Sequence, residues 1–143
     1  MERTAQQLLH LPAADLDAMF RQASAGPVPR GDARGTVLVA TGSGAGRLVA
    51  DLTRRLLWQG KVLLSDGTLV NKVTPWGVRA VRAVVHTGPS WVDGKDCIVI
   101  DYAPTSTVAR WVRDEIRLIA PDLYLGVVWF ARRRVASFAL AFE

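Results

Sequence analysis

The sequence predicts an α+β fold: a mainly antiparallel sheet, curved or closed into a small β-barrel, with three helices. Three observations predict it. Short apolar runs recur between Asp-Gly and other turn signals, which favours hairpins over long crossovers. About seven such runs fall within 143 residues, and so many strands in one small domain favour curling into a barrel or a strongly bent sheet. Several runs are apolar at both parities, as expected where one face meets helices and the other lines an interior.

The length suits one domain, 1–143. Residues 1–34 form an N-terminal helix and connection, and 35–143 a β-rich body with two helices. In the opening helix, Leu16, Met19, Phe20 and Ala23 repeat at helical spacing after Pro12, a residue suited to the first turn. "SAGPVPRGDARG" breaks the pattern with Gly and Pro. "GTVLVATG" is a strand. A second amphipathic helix follows near 44–58, with Ala45, Leu48, Val49, Leu52 and Leu56 on one face. "GKVLL" and "TLVNKV" flank Ser65-Asp66-Gly67 as a hairpin. "WGVRAVRAVVHTG" is a longer strand, "PSWVDGKD" a turn with Asp93-Gly94 at its tip, and "CIVIDYA" a strand stopped by Pro104. "TSTVARWVRDEIRLIA" then reads as a late helix, near 105–120, with Thr105 or Ser106 as N-cap and Pro121 as stop. "LYLGVVWFARRRVASFALAF" is a closing hairpin whose turn carries Arg132, Arg133 and Arg134.

Half the residues are hydrophobic and 22% charged, ordinary for a soluble globular protein. The net charge is +5 and the sequence pI about 10.1. Either an anionic partner or arginine-rich solvated faces would account for that. No basic strand interleaved with aromatics of the RNA-binding type is present, so no nucleic-acid partner is expected. The single Cys97 rules out an intrachain disulfide. The opening lacks the pattern of a signal peptide, and no apolar run reaches the length of a membrane span. The expectation is a cytoplasmic protein with no integral membrane segment. A homo-oligomer is left open.

Several familiar chemistries fit poorly. "TVLVATGSGAGRLVADL" places glycines between a strand and a helix, but Arg47 stands where a dinucleotide-binding turn needs its third glycine. His10, His86 and Cys97 have no metal-ligand spacing. No serine sits in a nucleophile elbow. Neither a metal nor a cofactor is expected.

The polar residues inside apolar patterns carry the functional reading. On a helical wheel Glu115 lies between Trp111 and Ile119, inside the apolar stripe. An unpaired buried carboxylate costs several kcal/mol, so Glu115 has to find a partner, protonate or bind something. A structural partner (Arg82, Arg79, Lys72 or a tyrosine hydroxyl) is one answer, a functional carboxylate in a pocket is another, and a bent helix that exposes it is a third. Asp101 ends its strand on the face of Cys97 and Val99, either organising the turn before Pro104 or forming a proton relay with His86.

From about Gly60 onward the chain resembles a group of small bacterial proteins without an established activity. The shared strings are "GPSWVDGKDCIVIDY", "TSTVARWVRDEIRLIAPDLYLG" and an aromatic closing hairpin. The resemblance implies that Arg113-Asp114-Glu115 and Leu123-Tyr124-Leu125-Gly126 belong to one recurrent unit. More loosely, an opening helix followed by a meander is similar to lipocalin-like (calycin-type) barrels. Departures from that class are the missing Gly-x-Trp opening and the late helix. The resemblance implies an interior that holds a small apolar molecule.

The leading expectation is therefore binding of a small, mostly apolar molecule, such as a lipid or isoprenoid with a polar end. Its cavity would be lined by residues from 78–86, 97–102 and 124–138. Arg82, Glu115 and Tyr124 would anchor the polar end, with Tyr102, Trp111 and Trp129 as aromatic wall candidates. The first alternative is a cofactor-free isomerase, cyclase or lyase in the same cavity. Glu115 or Asp101 would be its acid or base, His86 would assist, and Arg82 would stabilise developing negative charge. The second alternative is a structural or interaction module with a filled core.

Overall fold

A computed structural model describes residues 5–40, 61–63, 68–72, 79–101 and 111–142. Two helices precede the sheet: α1 (Ala5–Leu8) and α2 (Ala13–Gln22). Pro12, in extended conformation, starts α2. Asp15 in its first turn and Arg21 in its last oppose the helix dipole. Arg21 Nε also donates to Asp17 across one turn, at 2.8 Å. Leu16 and Phe20 are buried, each worth about 2 kcal/mol of transfer free energy.

Eight strands follow among the described residues: β1 (Gly31–Ala40), β2 (Lys61–Leu63), β3 (Thr68–Lys72), β4 (Arg79–Pro89), β5 (Asp96–Asp101), β6 (Val112–Ala120), β7 (Leu123–Phe130) and β8 (Arg133–Phe142). Each pairs antiparallel with the next, and β1 also pairs with β8, so the ladder closes on itself. The antiparallel curved sheet and the closing hairpin are as expected. β1 starts at Gly31, four residues before the predicted strand. The predicted helix 44–58 and the Ser65–Gly67 turn lie outside the described residues.

The late helix is a correction. Residues 112–120 form strand β6, paired with both β5 and β7. The helical reading took Val112, Ile116 and Ile119 as one face. In an extended chain, Val112, Asp114, Ile116 and Leu118 share one face, and Arg113, Glu115, Arg117 and Ile119 the other. Residues 114–117 are all buried, which blurs the alternation that a half-wet strand would display.

The two faces of the sheet bury different cores. The interior holds Val85, Ile98, Ile100, Ile116, Tyr124, Val128, Phe138 and Leu140. The outer core joins Leu123, Leu125, Val127 and Ala139 of the sheet to Leu8, Leu16 and Phe20 of the helices. Phe138 lies directly across from Gly126. A Cβ on Gly126 would stand 2.3 Å from the Phe138 ring, so no larger residue fits there without moving the ring.

The segment between α2 and β1 crosses one end of the interior. Leu118 N donates to Ser24 O at 3.1 Å, and the Tyr124 hydroxyl donates to Pro27 O at 2.7 Å. Ala25 packs on the interior cluster. Gly26 has φ +71°, and a Cβ there would meet Leu118 Cβ at 2.7 Å. Only glycine satisfies both the backbone conformation and the close approach.

Candidate functional site

The β4–β5 connection, 90–95, folds back over the outer face of β6 and meets its charged residues. Glu115 is fully buried. It accepts hydrogen bonds from Ser90 Oγ (2.6 Å), Trp91 N (2.9 Å) and Arg113 Nε (2.9 Å). Ser90 Oγ in turn accepts from Val92 N at 3.0 Å, which directs the serine proton to Glu115. Arg113 Nη2 donates to Pro89 O at 2.8 Å.

Two residues on, Arg117 is the largest fully buried side chain among the described residues. Its five N–H groups all find acceptors. Nε donates to Asp96 O (3.1 Å). Nη1 donates to Phe20 O (2.9 Å) and Asp93 Oδ2 (2.8 Å). Nη2 donates to Asp93 Oδ1 (2.7 Å) and Lys95 O (3.0 Å). The guanidinium also lies over the Phe20 ring, 4.5 Å from its centroid. The hydrogen bonds from Arg117 hold the Asp93 carboxyl well below the usual carboxylate range, against the opposing effect of burial. Beside them, burial pushes the Cys97 thiol up to about 12, with the Glu115 charge adding to the shift. This outer layer clamps α2 and the β4–β5 turn onto the sheet.

A cleft of about 330 Å³ opens beside that layer, lined by Trp91, Asp101, Trp111, Val112, Arg113, Ala131 and Arg132. Trp91 and Trp111 are 40% and 54% exposed. The guanidinium carbons of Arg113 and Arg132 lie 4.4 and 4.9 Å from the Trp91 ring centroid, within cation–π range. Trp129 meets Trp91 edge to face at 5.5 Å.

The predicted site residues divide between the two faces. Glu115 is on the outer face, so it and the inward Tyr124 do not share a cavity. Tyr124 sits in the interior cluster, its hydroxyl committed to Pro27. Asp101 is half-buried and pairs in register with Val84 and Arg113. His86 is exposed, its Nδ1 3.3 Å from Thr87 O, and lies diagonal to Asp101 across β4 and β5. Trp111 and Trp129 border the rim cleft and the outer face. Arg82 lies on β4 opposite Val70; its side chain, and Tyr102 altogether, fall outside the described residues.

Sequence reasoning missed the buried carboxylate that faces inward. Asp114 shares the face of Val112 and Ile116, pairs with Ile100 and Val128 of the interior cluster, and is 1% exposed. It also missed Arg117, Asp93 and Ser90. The signal was the charge alternation at Arg113, Glu115 and Arg117, a period of two that the helical wheel concealed. Among the described residues no three His, Cys, Asp or Glu converge on a possible metal position, and no helix is long and apolar enough to cross a membrane.

No family model and no curated protein matches the chain. In fold, the chain is similar to a crystal structure of a protein from Thermomonospora curvata, with a TM-score of 0.62 and 17% identity, over 93% of this chain and 88% of that one. At that identity the likeness establishes the fold alone: an antiparallel curved sheet preceded by short helices.

Proposed function

We propose that the protein binds a small, mostly apolar molecule inside its lipocalin-like barrel, with Asp114 as the polar group at the ligand's polar end. The observation that carries this reading is the composition of the interior face. Ile98, Ile100, Ile116, Val128, Phe138 and Leu140 form an apolar interior cluster, and Asp114 of β6 lies between its register partners Ile100 and Val128 on the same face. Binding sites for small molecules are mostly apolar with a few placed polar groups. An eight-stranded barrel is wide enough either for its own side chains or for one small ligand. The Ser24–Pro27 segment crosses one end of that interior, held by Leu118 and Tyr124.

The acid–base reading draws no support from Glu115, whose oxygens are occupied by three donors on the opposite face. The test is native mass spectrometry of freshly purified full-length chain, followed by extraction of any bound compound; the same spectrum reads the oligomeric state. A copurified apolar compound, lost in Val128→Phe and weakened in Asp114→Asn, is the expected result. Bare protein that also fails to take up apolar probe dyes would leave a filled interior and a structural role.

A further inference from the structure

We propose that the rim formed by Trp91, Trp111, Arg132 and Arg133 docks the protein on an anionic phospholipid surface. This goes beyond the ligand reading and is tested separately from it. Exposed large apolar side chains are few among the described residues, and two of the four, Trp91 and Trp111, border one cleft. Tryptophan is the side chain enriched at the headgroup level of membranes, because its ring is apolar and its N–H remains wet. Arginines flank the pair: Arg132 stacks over Trp91, and Arg132 and Arg133 are exposed at the β7–β8 tip. Basic groups beside interfacial aromatics are attracted by anionic headgroups, and the chain's net charge of +5 has the same sign.

The β7–β8 turn gives an independent indication. Ala131 and Arg132 both adopt the left-handed conformation, with φ of 49° and 69°. A two-residue hairpin turn of that kind favours Asn-Gly, and ordinary residues are disfavoured there. The turn accepts that strain and places an arginine on the exposed Trp91 ring. The hairpin needs that conformation at both positions, and an arginine rather than the favoured glycine occupies the second. The rim also lies at the Val112–Phe130 end of the sheet, away from the end crossed by Ser24–Pro27.

The experiment is co-sedimentation of the full-length protein with phosphatidylcholine vesicles, with or without phosphatidylglycerol, alongside tryptophan emission. Expected is sedimentation with the anionic vesicles only, a blue shift, and release by salt. Trp111→Ala and Arg132→Glu/Arg133→Glu each lower partitioning about tenfold. Val28→Ser, exposed near the Ser24–Pro27 crossing, leaves it unchanged. Ala131→Asn/Arg132→Gly supplies the favoured turn, so it raises the melting temperature while partitioning falls about fivefold. That variant keeps a loss of docking distinct from a loss of fold. The proposal is overturned if the wild type stays in solution with both vesicles, or binds neutral vesicles equally well. It is also overturned if the rim variants sediment like the wild type, or if the protein binds an oligonucleotide but no vesicle. Docking by a protein that carries no copurified compound and takes up no apolar dye would uphold this proposal and remove the ligand reading; a bound compound without docking would do the reverse.

Discussion

Replacing Arg117 with Met tests what holds the outer layer together. Met retains most of the aliphatic volume, so the change isolates the guanidinium. Removing it strips five hydrogen bonds at once: from the carbonyls of Phe20, Lys95 and Asp96, and from both oxygens of Asp93. The carbonyls lose their donors, and Asp93 becomes a partly buried carboxylate without its bidentate cation. Breaking such a pair on one side costs about 3–5 kcal/mol. Lys at 117 keeps the charge but has three donors and no planar fork, so a loss of about 2 kcal/mol is expected. Asp93→Asn combined with Arg117→Met should cost less than the sum of the single changes, by about 2 kcal/mol.

The assay is urea unfolding followed by tryptophan fluorescence, comparing midpoints at constant slope. Acid adds a second reading. Because Arg117 lowers the Asp93 carboxyl in the folded state, the unfolded chain binds that proton more tightly. The stabilisation is therefore complete above the unfolded carboxylate pKa, about 3.9, and is lost as pH falls toward the folded value. The wild-type midpoint should drop below about pH 4, and Asp93→Asn should flatten that limb. Asp17, lowered mainly by its hydrogen bond from Arg134 and then by Arg21, adds a slope of the same sign. If Arg117→Met shifted stability by less than about 1 kcal/mol with an unchanged slope, the pair would rank with exposed ion pairs and the clamp argument would fail.

Three further outcomes follow from particular contacts. Tyr124→Phe removes the hydrogen bond to Pro27 O and should cost about 1 kcal/mol, with faster tryptic cleavage after Arg30 as the Ser24–Pro27 crossing loosens. Gly126→Ala drives a methyl into the Phe138 ring and should cost about 1–3 kcal/mol, much of it recovered in the double variant with Phe138→Leu. The Cys97 thiol, buried and pushed up to about 12, should resist an aromatic disulfide reagent in native buffer at neutral pH and react at once in denaturant; rapid native labelling would contradict its burial.

The strands of the meander were legible because their turns carry strong local chemistry. Asp93-Gly94 lies where the sequence puts it, and the β7–β8 turn falls at Ala131-Arg132, with Arg133 and Arg134 opening β8 rather than in the turn. β6 was not legible, because both of its faces are buried. Val112, Ile116 and Ile119 match helical spacing by coincidence, while the outer positions 113, 115 and 117 carry charges that neutralise one another or pair with Asp93 only after the β4–β5 turn has folded over them. A window of twelve residues contains the Arg113–Glu115 pair but none of the partners that the β4–β5 turn brings: Ser90, the Trp91 N–H and Asp93. Pro121 was read as the end of a helix; what ends there is strand β6, and Asp122 takes φ 57° in the tight β6–β7 turn.

The same misreading placed Glu115 rather than Asp114 on the interior face, and the reassignment can be tested. On a helix Glu115 belongs to the buried stripe, while on a strand adjacent residues point to opposite faces, so Asp114 becomes the inward one. Glu115→Gln and Asp114→Asn should then fail in different ways. At 115 the donors are Ser90 O–H, Trp91 N–H and Arg113 Nε–H. An amide offers them one oxygen and turns its own N–H₂ toward another donor, leaving at least one buried donor unsatisfied. That costs about 2 kcal/mol, seen as a lower urea midpoint, with no change in the compound extracted per folded chain. At 114 the substitution faces the interior, so occupancy by the apolar compound should fall. If Glu115→Gln emptied a still-folded protein while Asp114→Asn left it loaded, the inward face of β6 would carry no ligand contact, and the interior reading would have to be abandoned for one on the outer layer.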